Sequence, residues 1–192
     1  GLVGAGRAAR ELEGVPHEVG EVLDLRLLVV VRQDERAALG LALAAVVVLS
    51  ILGAYRASLV VEGTRYFWLD DDQMVSMRYA RHLAEGHGLV FNPGERVEGY
   101  SNFLWTLVMA AVHRLGAGDA RAPLAVIALN TLLAMLVLPL ARRLVRQLVG
   151  DAAFESAALV LILAACLDVV FWSVNGFETT LLSVLFLVAV TE

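Results

Sequence analysis

From residue 37 onward, long uncharged blocks alternate with short charged ones. Ala37 to Tyr55 is an unbroken uncharged run of about 19 residues, close to the ~20 that carry a helix across a bilayer. Ser101 to Val112 is uncharged for only about 12 residues, a length more common in interfacial or re-entrant segments. Ala122 to Ala141 runs for about 20 uncharged residues, enough to span despite Pro123 and Pro139 near its ends. Ser156 to Trp172 is a further candidate, and another apolar run continues to Val190. The pattern therefore predicts an all-α, polytopic transmembrane helix bundle with spans at about 37–60, 122–141, 156–172 and 179–192.

The polar stretches orient these blocks. Arg32 and Arg36 precede the first span, and Arg142, Arg143 and Arg146 follow the second. The positive-inside bias places both clusters in the cytoplasm if 102–116 only dips into the interface. Were that segment to span, the second cluster would fall outside. The first topology puts an outer loop, 62–101, on the far side together with Asp70–Asp72, Asp168 and Glu178. Within the loop, Asp72 to Glu85 reads as an amphipathic juxtamembrane helix with Val75, Tyr79 and Leu83 along one side. Aspartates stand at its start, and Gly86 and Gly88 at its end. Asn92-Pro93-Gly94 reads as a turn. Residues 1–36 form a separate cytoplasmic segment. Its Gly4–Ala9, GAGRAA, fits a degenerate phosphate fingerprint but lacks the preceding strand, so an ordinary turn or helix start is preferred. Leu23 to Arg36 could be a strand or the entry to the first membrane helix.

Composition supports the membrane class. The chain of 192 residues is 59% hydrophobic with a mean hydropathy of +0.72, against ~45–50% apolar for soluble domains. The net charge of −5 offers no basic face for nucleic acid. Every basic residue is arginine, and guanidinium groups stay protonated and suit bidentate phosphate contacts. Cys166 is the sole cysteine, so no disulfide framework forms within one chain. The start at Gly1 and the stop within an apolar stretch suggest the N-terminal part of a longer protein.

The stretch that asks for chemistry is LDDDQMVSMRYA, Leu69 to Ala80. One aspartate suffices to cap a helix; three adjacent carboxylates repel one another. Crowding raises a carboxylate's pKa toward the range of a general base. A pair such as Asp71 and Asp72 could also hold a divalent cation, Mg2+, Mn2+ or Ca2+. Arg78 and Arg81, with His82, lie one to two turns further along and could meet phosphate oxygens. A carboxylate base beside a guanidinium clamp is the minimum kit for moving a sugar off a lipid phosphate, but the spacing alone indicates only a polar membrane enzyme or transporter.

The segment DDQMVSMRYARHLAEGHGLVFNPGERVEGYSNFLWTL, Asp71 to Leu107, resembles the first outer loop of the GT-C membrane glycosyltransferases, in particular the actinobacterial arabinofuranosyltransferases. WSVNGFETTL, Trp172 to Leu181, is similar to a second segment of that family. The resemblance covers residues 66–192. It implies a multi-pass protein of the inner, cytoplasmic membrane with its active site facing the periplasm or exterior. It also implies inverting transfer of a sugar from a polyprenyl-phosphate donor to a hydroxyl of a glycan, lipid or protein acceptor, with or without a metal. Asp71 and Asp72 match the family's acidic pair, one of which would be the base. Asp70 is an additional carboxylate, and Met74 stands where an aromatic is usual. Glu178 matches the acidic residue of the second segment and is expected to shape the lipid-phosphate pocket.

Two other readings fit the same charges: a transporter of a lipid-linked anion, or a non-catalytic assembly subunit with the acidic helix as a docking face. Asp168 is a functional residue or emerges among lipid headgroups. His82 and His87 lack metal-ligand partners at helical spacing and read as solvated or capping residues. His113 reads as an interface residue. Trp68, Trp105 and Trp172 fall near span ends, where an aromatic belt lies.

Overall fold

The computed structural model describes Ala37 and residues 39–192, apart from the side chains of 149–167. The Gly4–Ala9 segment, the Leu23–Arg36 stretch and the Cys166 side chain lie outside this description. The described chain is mostly helical. Helix α1 covers Leu39–Arg56. A hairpin follows, β1 (Ser58–Val61) and β2 (Thr64–Phe67), and then α2 (Asp71–Ala84), α3 (Phe103–Arg114), α4 (Ala122–Val174) and α5 (Thr179–Thr191).

The hairpin corrects the purely helical expectation and ends the first helix at Arg56 rather than near residue 60. Its cause is local. Glu62 and Gly63 both have positive φ, 48° and 79°, as a two-residue type I′ turn requires. The β-branched Val60 and Val61 favour the extended chain on one side of that turn. The strands pair antiparallel from Ser58↔Phe67 to Val61↔Thr64.

Among the described residues, two helical segments are long and apolar enough to cross a membrane, Leu39–Arg56 and Ala122–Leu148. Only 22% and 33% of their windows are buried, whereas the central helix of a soluble protein would be mostly enclosed. Leu41, Ile51 and Leu132 point outward, as lipid-facing side chains do.

Helix α4 cannot be one straight rod. Asn130 donates through Nδ2 to the Ser173 carbonyl at 3.3 Å, yet 43 residues of straight helix would separate them by about 65 Å. The helical segment therefore doubles back between them. The contacts follow from this: Ala134 and Leu138 share a buried cluster with Val170 and with Ala42 and Val46 of α1. Gly53 of α1 meets the same bundle, and a Cβ there would lie 2.6 Å from Val174 Cγ1.

Helices α2 and α3 pack together over Met77, Ala80, Trp105 and Met109, and Val126 of α4 closes this cluster. The buried face of α2 comprises Gln73, Ser76, Met77, Tyr79 and Ala80. The apolar stripe read from the sequence is thus rotated: Tyr79 belongs to the buried face, while Val75 turns toward a cleft.

Candidate functional site

Helix α2 begins one residue before the expected Asp72 and ends at Ala84, one residue before the expected Glu85. Asp70 is its N-cap, but no side chain caps the end. The helix opens with the Met74 amide on the Asp70 carbonyl at 2.9 Å. All three aspartates are exposed. The α2 periodicity then separates them onto different sides.

Asp71, Met74, Val75, Arg78, Arg81 and His82 line one open cleft of about 750 Å³, walled by Tyr66 and Phe67 of the hairpin, Phe91, and His113 with Asp119. Asp71 and Arg78 are seven residues apart, two turns along one helix face, or about 10 Å of rise. The two arginines differ in electrostatic state. Arg78 donates through Nε to the Phe91 carbonyl at 2.8 Å and through Nη2 to Asn92 Oδ1 at 2.9 Å. It also lies over the Phe91 ring at 4.3 Å. Its partners are neutral, so its charge is uncompensated among the described residues. Arg81 binds Glu85 at 2.8 Å and Asp119 at 2.6 Å. The Glu85 hydrogen bond and the Asp119 charge raise its pKa further, and its charge is more than matched.

Three α2 side chains hold the Gly88–Tyr100 loop. His82 Nδ1 lies 2.9 Å from the Val90 carbonyl; since that oxygen only accepts, Nδ1 carries the proton. Tyr79 donates its hydroxyl to the Val97 carbonyl at 2.7 Å and packs edge-on against Tyr100. Arg78 holds Phe91 and Asn92. The expected Asn-Pro-Gly turn is present, with the Glu95 amide on the Asn92 carbonyl at 3.1 Å and Gly94 at a φ of 92°.

The opposite side of the α2 N-terminus meets the 172–178 segment. The Asp70 amide donates to the Asn175 carbonyl at 3.1 Å, and Trp105 donates from Nε1 to the Gly176 carbonyl at 2.7 Å. Asn130 donates from Nδ2 to the Phe177 carbonyl at 3.1 Å. These bonds satisfy a non-helical turn that would otherwise bury bare carbonyls. The turn places half-buried Glu178 against an amide cluster. Asn102 Nδ2 lies 3.3 Å from Glu178 Oε2 and 3.1 Å from Gln73 Oε1, and Gln73 Nε2 lies 3.5 Å from the same Glu178 oxygen. Ser76 and Thr106 donate their hydroxyls to Asn102 Oδ1 at 2.9 and 3.0 Å.

Of the residues singled out from the sequence, Asp71, Arg78, Arg81 and His82 come together in the cleft. Asp72 and Glu178 do not line it. Glu178 has no cation within ion-pair distance among the described residues, which disfavours a place beside a phosphate. Asp71 and Asp72 could give a metal two carboxylates; among the described residues no three His, Cys, Asp or Glu side chains form a metal-holding group. Trp105 is buried rather than part of a belt, while Trp68 and Trp172 are exposed. Sequence reasoning missed Gln73, Asn102, Asp119 and Asn130. An amide at the buried position Gln73, beside the acidic run, is the one signal that could have been read.

Comparison with known proteins gives partial matches. The chain is similar to the terminal beta-(1->2)-arabinofuranosyltransferase of Mycobacterium tuberculosis, 36% identical over 69 residues, which is 36% of this chain and 11% of that protein. It is also similar to the terminal beta-(1->2)-arabinofuranosyltransferase of Corynebacterium glutamicum, 47% identical over 38 residues, 20% of this chain and 6% of that protein. The matched stretches are thus about a tenth or less of these relatives' length. No family model and no solved structure matches.

Proposed function

We propose that the chain is part of a membrane glycosyltransferase of GT-C type, which moves a sugar from a polyprenyl-phosphate donor to a hydroxyl of a cell-envelope glycan, lipid or protein. The printed names of the two relatives support a glycosyltransferase in general. The observation that carries the finer reading is the shared face of Asp71 and Arg78: one carboxylate and one uncompensated guanidinium in the same cleft.

In this reading Arg78 attracts the donor phosphate, because its present partners are neutral acceptors and an anion adds charge pairing. Asp71 takes the proton of the acceptor hydroxyl. The acceptor oxygen attacks the anomeric carbon as the bond from that carbon to the phosphate oxygen breaks. Polyprenyl phosphate departs with the electron pair, and the anomeric centre inverts. Phosphate is a good leaving group and needs little acid help. Arg81, held between Glu85 and Asp119, acts as a strut rather than as the clamp expected from sequence.

The bundle would be a multi-pass unit of the cytoplasmic membrane, with α2 at the outer lipid boundary. The two candidate spans and the outward-facing apolar side chains support that placement. Asp71 and Asp72 could also hold Mg2+, Mn2+ or Ca2+, with water and donor phosphate completing the shell; EDTA washing followed by metal add-back reads that role.

The test is incorporation of radiolabelled sugar from polyprenyl-phosphate donors into extractable glycan, in membranes carrying the intact protein. Asp71→Asn should lower turnover by about 10²–10⁴-fold, the usual contribution of a general base, while donor binding persists. Full transfer with both Asp71→Asn and Asp72→Asn in place, or labelling that locates residue 71 in the cytosol, would end the reading.

A further inference from the structure

The amide cluster on the far side of α2 has a fixed direction. Ser76 and Thr106 can each donate a hydroxyl proton to Asn102 Oδ1. Each hydroxyl also has a backbone carbonyl in reach, Asp72 at 3.3 Å from Ser76 and Asn102 at 3.2 Å from Thr106, but the contacts to Oδ1 are the shorter ones, and with them made Oδ1 is the accepting end of the amide. The Asn102 nitrogen must then donate, and its two hydrogens go to Gln73 Oε1 and Glu178 Oε2. Because Gln73 Oε1 is an acceptor, its own nitrogen is turned to Glu178 Oε2 as a donor. Asn102 and Gln73 are both buried, so neither amide can exchange these partners for water. One hydrogen from each amide nitrogen, Asn102 Nδ2 and Gln73 Nε2, points at the same carboxylate oxygen, Glu178 Oε2, which accepts both.

A structural carboxylate normally ends on a cation. Glu178 does not: among the described residues it has amide partners only, and its Oε1 takes no hydrogen bond from them. Nor is Oε1 among the sealed, unpartnered atoms, so it is reachable from outside. The 172–177 turn and the first turn of α3 carry no charged side chain. A carboxylate held by amides on one oxygen and open on the other offers an acceptor for hydroxyl protons and is a poor neighbour for phosphate.

We propose that Glu178 is a recognition point for a sugar hydroxyl, and that Asn102, with Gln73, is the positioning residue that fixes it in the accepting state. This deepens the glycosyltransferase reading and rests on it. The hydroxyl could belong to the transferred sugar or to a carbohydrate acceptor, and the kinetics separate the two. The cleft with Asp71 and Arg78 lies on one side of the α2 N-terminus, and this corner lies on the other. The helix end would thus sit between the phosphate end of the donor and a second, polyol-binding contact.

The experiment uses the intact protein in membranes, with a polyprenyl-phosphate arabinofuranose donor and a synthetic arabinofuranose oligosaccharide acceptor. Glu178→Gln keeps the shape and can still accept from both amides, but loses the charged acceptor. It should raise KM for one substrate, or lower kcat/KM, by about tenfold to a hundredfold, the range of a hydrogen bond to a charged group. A rise in donor KM assigns the hydroxyl to the transferred sugar; a rise in acceptor KM assigns it to the acceptor. Asn102→Asp retains the oxygens that Ser76 and Thr106 need and puts a second carboxylate beside Glu178. The KM that Glu178→Gln raises should then rise by a similar factor while the other KM holds, whereas a merely structural asparagine would lower the rate without singling out one substrate. Unchanged kinetics in both Glu178→Gln and Asn102→Asp overturns the proposal. If those two variants are silent while Asp71→Asn abolishes transfer, the glycosyltransferase reading stands without it.

Discussion

The Trp105 indole donates to the Gly176 carbonyl at 2.7 Å across 71 residues of chain. This bond seats the turn before Glu178 onto the first turn of α3. Trp105→Phe keeps most of the packing but leaves a buried carbonyl bare, at a cost of about 1–3 kcal/mol. Gly176→Ala should cost more. Gly176 has a φ of 86°, and an added Cβ would lie 2.8 Å from Leu69 Cδ1. Thermal unfolding of the detergent-solubilised protein should rank wild type above Trp105→Phe and Trp105→Phe above Gly176→Ala.

The unequal arginines of the cleft predict unequal variants. Arg78→Gln removes the uncompensated charge and should raise KM for an anionic donor by tenfold or more. Arg81→Gln should change that KM by less than a few-fold, because Glu85 and Asp119 already match its charge. Steady-state kinetics at fixed ionic strength compare them, and equal losses would remove the distinction.

Asp119 gives the converse case. Asp119→Ala releases one of the two carboxylates held by Arg81 and makes the cleft more positive. The expected outcome is a lower KM for the donor and a steeper dependence on salt, since exposed charges are screened. An unchanged KM and salt slope would show that Arg81 never meets the anion.

His113 should report on pH. It is half-buried, with Nε2 3.1 Å from Met77 Sδ. Burial lowers its pKa, against the raising influence of Asp119 and the Ala117 backbone. The unfolded chain therefore binds a proton more readily than the folded one. The stability this residue permits is complete above its ordinary pKa of about 6.5 and declines as pH falls below that value. Replacing His113 by Gln should flatten the fall in melting temperature between neutral and mildly acidic pH. The same slope in both proteins would place the acid sensitivity elsewhere.

Much of the helical layout was open to reading before any contact was known. The start of α2 at the acidic run, the positive-φ Gly86 and Gly88 after its end, and the Asn92–Gly94 turn depend on neighbours a few residues away. The hairpin at 58–67 was hidden because Glu62 is an unusual residue at positive φ, where asparagine or glycine would have signalled the turn. The buried face of α2 was misplaced for a different reason. Gln73 and Ser76 are polar, so no count of apolar positions marks them as interior. They are buried because Asn102 and Glu178 supply hydrogen bonds there.

The sequence by itself determined where apolar blocks reach membrane length, where the charged helix begins, and which residue types stand ready for acid–base and phosphate chemistry. These are properties of short windows, set by backbone preference and by the free energy of taking apolar side chains out of water. Only the tertiary structure decided that Asp71 and Arg78 share a cleft, that Arg81 is spent on Asp119, and that Glu178 faces amides instead of a cation. Those outcomes join residues 7 to 105 positions apart. A group's electrostatic role depends on the partners that folding brings within hydrogen-bond reach.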